Sequence, residues 1–139
     1  MEKKSVTEIL KLHGKYVTPI KGTSMKPLLR EARDMAVIHA PTFPLPRFSV
    51  PLYVRKDGTV VLHRVLGQDA QGYILCGDNQ YRVEHGVRED MIQGVMGGFF
   101  RGEKYVSVTH PLYRLYVRLW CSSLFVRKVC LKLRDRLKK

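Results

Sequence analysis

The sequence predicts a mainly β domain, a barrel or sandwich, with a short N-terminal helix and a long basic amphipathic helix at its C-terminal end. Three observations carry this. Between residues 16 and 108, short apolar runs alternate with Gly- and Asp-containing turns, the pattern of a β barrel or sandwich. From Pro111 onward there is no glycine and no further proline, and apolar residues recur at helical spacing. The 139 residues, 45% hydrophobic and 27% charged, suffice for one domain with a core and do not describe a disordered chain.

Taken in order, Ser5 to His13 reads as a helix. Ser5 or Thr7 can cap it, Val6, Ile9, Leu10 and His13 share a face, and Gly14 stops it. Tyr16 to Ile20 is a short apolar run, and Lys21 to Pro27 a turn. Pro27 holds Lys26 away from helical angles, so Ser24 sits on or beside a bend. Met35 to His39 is a strand, followed by an irregular stretch with Pro41, Pro44 and Pro46. Ser49 to Val54 and Val60 to Leu66 flank Lys56-Asp57-Gly58 as a hairpin. Tyr73 to Cys76 is a strand ended by Gly77-Asp78-Asn79. Met91 to Arg101 and Lys104 to Val108 form a second hairpin about Gly102-Glu103. The expected division is residues 1–109 for the β domain with its N-terminal helix and residues 110–139 for the basic helix.

Charge divides the same way. Lys and Arg number 25 against 12 Asp and Glu, a formal charge of +13. Residues 110–139 hold nine basic residues and one acid, a balance of +8 that leaves +5 for the other 109. Lys3, Lys4, Lys11 and Lys15 near the N-terminus, without an apolar stretch or cleavage site, do not read as a secretory signal. No run of about 18 apolar residues predicts a bilayer-spanning helix. Cys76, Cys121 and Cys130 are an odd set without a Cys-x-x-Cys pair. They predict neither a disulfide framework nor a zinc site, and favour a reducing, cytoplasmic compartment. No cofactor and no metal are expected.

Three groups stand in order: Gly22-Thr23-Ser24-Met25-Lys26-Pro27, His63-Arg64-Val65, and Gly77-Asp78-Asn79 with Glu84 beyond. Singly, each has a bland explanation: a turn hydroxyl, a core histidine on the face shared by Val61 and Val65, and a turn. Together they supply a chemistry. A serine hydroxyl needs a base within hydrogen-bond reach, histidine titrates near neutral pH, and a carboxylate behind the ring fixes its tautomer.

The ordered set resembles the signal peptidase I / LexA-like serine peptidase superfamily, whose nucleophile lies in a Ser-Met-x-Pro box, here Ser24-Met25-Lys26-Pro27, and whose Gly-Asp-Asn box follows the base. Where the bacterial signal peptidase and LexA branches have a lysine base, Leu62-His63-Arg64-Val65 is similar to the His-Arg-Val box of the serine–histidine branch found in archaea, endospore-forming bacteria and the endoplasmic reticulum. The resemblance covers roughly Lys21 to Arg101, and the order of three boxes makes it specific. It implies a signal peptidase/LexA-like β fold, Ser24 as nucleophile, His63 as general base, and Asp78 as the favoured acid with Glu84 as the alternative. It also implies oxyanion and substrate contacts at Gly22, Thr23 and Met25, with Met25 lining an apolar cleft. Relatives carry an aspartate where this chain has Glu84. Gly22 stands where signal peptidases often have a serine, so the Ser24 N–H is the expected oxyanion donor with Thr23 as helper. His85 is expected at the surface. No counterpart of the relatives' spanning helices is expected, and self-cleavage of the LexA kind is not the expected role, with 23 residues before Ser24 read as too few for a DNA-binding domain.

The expected function is a serine endopeptidase that cleaves an extended, leader- or signal-like peptide after a small residue, the peptide adding as a strand. The competing expectation is a catalytically idle module that binds an anionic membrane or nucleic acid through the C-terminal helix. On that helix Leu112, Leu115, Leu119, Val126, Val129, Cys130, Leu133 and Leu137 fall within one arc of about 100°. It is expected either to pack this arc on the body or to place it on an anionic membrane, with Arg114, Arg118, Trp120, Lys128, Lys132 and Arg136 at the surface and Phe125 near the interface. A helix docked from Pro111 to Leu124 with a free end would combine the two. Nucleic acid ranks below membrane, because aromatic residues are not interleaved with the basic ones on a β face.

Overall fold

The computed structural model describes residues 5–138; Lys3, Lys4 and Lys139, counted among the basic residues above, lie outside them. Helix α1 (Val6–His13) begins where the Ser5 hydroxyl accepts from the Glu8 N–H at 3.2 Å. It ends at Gly14, whose φ of 77° lets its N–H turn back to the Leu10 carbonyl. Strands β1 (Tyr16–Pro19) and β2 (Asp34–His39) follow as expected, with the Ser24 turn between them.

The hairpin about Asp57-Gly58 joins β3 (Pro51–Val54) to β4 (Val60–Leu62), pairing Tyr53 with Val61. The expected single strand from Val60 to Leu66 is instead divided. It breaks at His63, and β5 (Arg64–Asp69) belongs to a different sheet. That sheet is completed by β6 (Gly72–Cys76) and by β7 (Glu84–Val87), which the sequence pattern did not reveal. Its Glu-His-Gly-Val has too little apolar content to read as a strand, and it forms by pairing with β6.

Strand β8 (Ile92–Arg101) organises the larger sheet, of order β1-β2-β8-β3-β4. Along one edge it pairs with β2; along the other it pairs first with β3 and then with β9 (Lys104–Ser107). The register shifts between Val37 and Ile38 and between Leu52 and Tyr53 accompany the curl of this sheet into half a barrel. Two apolar clusters result. One gathers Ile20, Met25, Leu29, Ile38, Leu52 and Phe99; the other gathers Tyr53, Val61, Val65, Leu75, Val87 and Ile92.

The C-terminal region departs from a continuous helix. Helix α2 (Pro111–Tyr116), capped by the His110 ring, runs into a wide turn at Val117–Cys121 and stops. The Ser122 hydroxyl bonds back to the Arg118 carbonyl, and Ser123 is extended and caps the separate helix α3 (Leu124–Leu137). Nor does it stand apart from the β domain. Tyr113, Val117 and Cys121 join the first core cluster, so α2 closes the same core that the sheet opens. Helix α3 is docked too, through buried Arg127 and Leu131, rather than free beyond Leu124.

Candidate functional site

The turn that carries Ser24 is held from both sides. Gly22, at a φ of 75°, donates its N–H to Glu31, and the Lys26 N–H returns to the Thr23 carbonyl. Asn79 clamps the turn from across the fold. Its backbone N–H donates to the Ser24 carbonyl at 2.8 Å and its side-chain amide to the Thr23 carbonyl at 3.0 Å. Gly77 makes this approach possible, since a Cβ there would stand 2.5 Å from the Ser24 carbonyl oxygen. The first and third sequence groups are therefore one interlocked unit. Met25 does not line a cleft. It is 3% exposed within the core, and its sulfur accepts from the Asp78 N–H at 3.5 Å.

His63 sits at the crossing between the two sheets and is 7% exposed. Burial, reinforced by the neighbouring Arg55 guanidinium, pushes its pKa down to about 4, so the ring is neutral at physiological pH. Its Nδ1 lies 3.5 Å from the hydroxyl of buried Tyr53. That hydroxyl donates to Glu84 at 2.8 Å, and Arg55 braces the same carboxylate at 2.7 Å. Burial of Glu84 opposes its ionisation, but the hydrogen bonds from Arg55 and Tyr53 prevail and hold its pKa below the ordinary value. The carboxylate thus addresses His63 through Tyr53.

Asp78, the favoured acid, is committed elsewhere. Its two oxygens accept from Arg64 Nε and Nη2, each at 2.8 Å, and one also accepts from the Tyr116 hydroxyl at 2.8 Å. The Asp78 carbonyl accepts from Trp120 Nε1. A buried arginine needs a buried counter-charge, and Arg64, fully enclosed beside His63, takes the one that the loop provides. Asp78 acts on His63 only at a distance, through its charge. Trp120 correspondingly faces inward rather than outward toward a membrane. His85 is exposed, 3.8 Å from Asp69.

No hydrogen bond joins the Ser24 hydroxyl to His63 among the described residues. The two are linked through Asn79, which shares with His63, Arg55, Leu75, Tyr81 and Glu84 the lining of a cavity of about 520 Å³. Helix α3 supports this loop from behind. Arg127 donates to the Gly77 carbonyl at 3.0 Å, Arg134 bonds to Asn79, and the Lys132 ammonium lies over the Tyr81 ring. Among the described residues, no group of three or more His, Cys, Asp or Glu side chains is arranged to hold a metal ion.

Sequence reasoning missed Tyr53, Arg55 and the α3 arginines. Tyr53 had a usable signal: a hairpin centred on Asp57 pairs it with Val61, two residues from His63 and on the same side. Comparison with protein families, with curated proteins and with solved structures finds no match to this chain.

Proposed function

We propose that this protein is a serine endopeptidase acting through Ser24 and His63, similar to the serine–histidine branch of the signal peptidase I / LexA-like superfamily. The observation that carries the reading is the clamp of Asn79 on the Ser24 turn, within the loop that lines the His63 cavity. It ties the Ser24 turn to a loop that shares a cavity lining with His63.

The proposed chemistry starts from a neutral imidazole. With Nδ1–H directed to the Tyr53 oxygen, and the Tyr53 O–H directed to Glu84, the lone pair of Nε2 is left to accept a proton. Ser24 Oγ attacks the peptide carbonyl carbon as His63 takes its proton, and the oxyanion is met by the Ser24 backbone N–H. The imidazolium then protonates the leaving amine. Water, activated by the same ring, hydrolyses the acyl-serine. Glu84, with its charge balanced by Arg55, stabilises the imidazolium through Tyr53. The substrate is an extended, leader- or signal-like peptide cut after a small residue.

The test is labelling by an alkyl fluorophosphonate, whose phosphorus is attacked by an activated serine hydroxyl with loss of fluoride, leaving a phosphonylated serine. Wild-type protein should react at Ser24, whereas Ser24→Ala and His63→Gln should not. A folded wild-type protein that stays unlabelled across the neutral pH range would favour the idle, binding-only module.

A further inference from the structure

Helices α2 and α3 turn their apolar sides the wrong way for a pair that serves only to complete the core. At 100° per residue, Arg127, Leu131 and Arg134 form the inward side of α3, against the Gly77–Asn79 loop. The outward side carries Phe125, Val126, Val129, Leu133 and Leu137, all exposed, with Phe125 at 77% and Leu137 at 86%. In α2 and the turn after it, Tyr113, Val117 and Cys121 face inward while Leu112, Leu115 and Leu119 face solvent, Leu119 at 71%. Among the described residues, eight of the fourteen exposed large hydrophobic side chains therefore lie between Leu112 and Leu137. Of the two placements open to the apolar arc, on the body or away from it, the fold leaves it uncovered.

Basic residues border it. On α3, Lys128, Lys132 and Arg136 follow one flank of the stripe, and Arg114 and Arg118 stand exposed among the α2 leucines. An apolar groove of about 910 Å³ between α2 and the sheet, lined by Phe48, Val95, Met96 and Leu115, reaches the surface beside these two arginines.

We infer that this face docks on an anionic lipid bilayer, with the stripe sunk into the headgroup–acyl boundary and the bordering lysines and arginines on lipid phosphates. Apolar and cationic groups are both satisfied there, which is the arrangement of an interfacial helix. The same charge opposes a second copy of the chain as occupant, since each face carries most of the +8 of residues 110–139. A nucleic acid would answer the cations but leave Leu119, Phe125, Leu133 and Leu137 in water. The inference stands apart from the peptidase reading, because no catalytic group contributes to the face.

The test is co-flotation of the full chain with vesicles of phosphatidylcholine alone and of phosphatidylcholine mixed with phosphatidylglycerol. Binding is expected to the mixed vesicles only, weakening as salt rises. Lys128→Glu with Arg136→Glu should reduce partitioning at least about tenfold. Leu119→Ser with Phe125→Ser and Leu133→Ser should do the same without lowering the unfolding midpoint, because all three side chains are exposed. Absence of binding to the mixed vesicles overturns the inference. So does self-association that the serine substitutions abolish, or retention on RNA in place of lipid.

Discussion

Arg64 and Asp78 face each other, fully buried, through two parallel hydrogen bonds of 2.8 Å. Arg64 directly follows His63, and Asp78 lies between Gly77, which admits the Ser24 turn, and Asn79, which clamps it. The pair therefore joins the chain segment that carries His63 to the loop that holds the Ser24 turn. Charge burial on this scale is tolerated because further partners complete it: Tyr116 on Asp78, and Tyr113 and the Phe48 carbonyl on Arg64.

Asp78→Ala leaves Arg64 buried without its counter-charge and should cost about 3–5 kcal/mol of stability. Urea unfolding measures this. Any residual activity should follow the folded fraction. A variant as stable as wild type yet inactive would instead put Asp78 into the chemistry.

Tyr53→Phe keeps the ring in its buried place and removes only the hydroxyl between Glu84 and His63. We expect kcat on a peptide substrate to fall about 10²-fold with KM little changed. Glu84→Gln should give a similar loss in kcat. Unaltered kcat in both variants would show that the ring needs no partner at Nδ1.

The depressed pKa of His63 sets two pH dependences. The proposed mechanism requires the neutral ring, so the acid limb of kcat/KM should lie near pH 4 rather than 6.5, and Arg55→Gln should move it upward by removing a cation from beside the ring. Stability has the same sign. The unfolded chain binds a proton at this histidine near pH 6.5, but the folded protein not until about pH 4. Stability is therefore full above 6.5 and falls between 6.5 and 4, by up to roughly 3 kcal/mol from this group. His63→Gln should flatten that part of a stability–pH curve, measured by denaturant unfolding at each pH.

Gly77→Ala places a methyl group 2.5 Å from the Ser24 carbonyl oxygen and 2.8 Å from the Gln80 side-chain oxygen. The Ser24 turn or the Asn79 clamp must yield. We expect a loss of about 1–3 kcal/mol, together with loss of fluorophosphonate labelling at permissive temperature. Gly67→Ala, in β5 with nothing within 4 Å of the added methyl group and no left-handed backbone, serves as the control that should keep labelling.

Much of the architecture follows from local pattern. Ser5 and Gly14 bound α1, Asp57-Gly58 turns β3 into β4, and the period-two runs become strands. Local pattern failed where pairing is non-local. Strand β7 exists because Leu75 offers it a ladder, and the run from Val60 to Leu66 divides because its halves find partners in different sheets. The break at Ser122-Ser123, where the Ser123 hydroxyl caps α3, was hidden by a helical period that runs through both residues.

Alone, the chain's order of residues determined which chemical groups were at hand: a serine on a bend, a histidine between valines, an acidic turn and a basic amphipathic end. Those depend on short-range sterics and on residue type. Which carboxylate would address the imidazole, and which side of the last helix would be left to solvent, were decided by tertiary packing. A buried guanidinium takes the nearest carboxylate because an uncompensated charge cannot remain in a core. Arg64 claimed Asp78, Glu84 was left to Tyr53, and Arg127 and Arg134, drawn inward to the loop oxygens, turned Phe125, Leu133 and Leu137 of α3 outward.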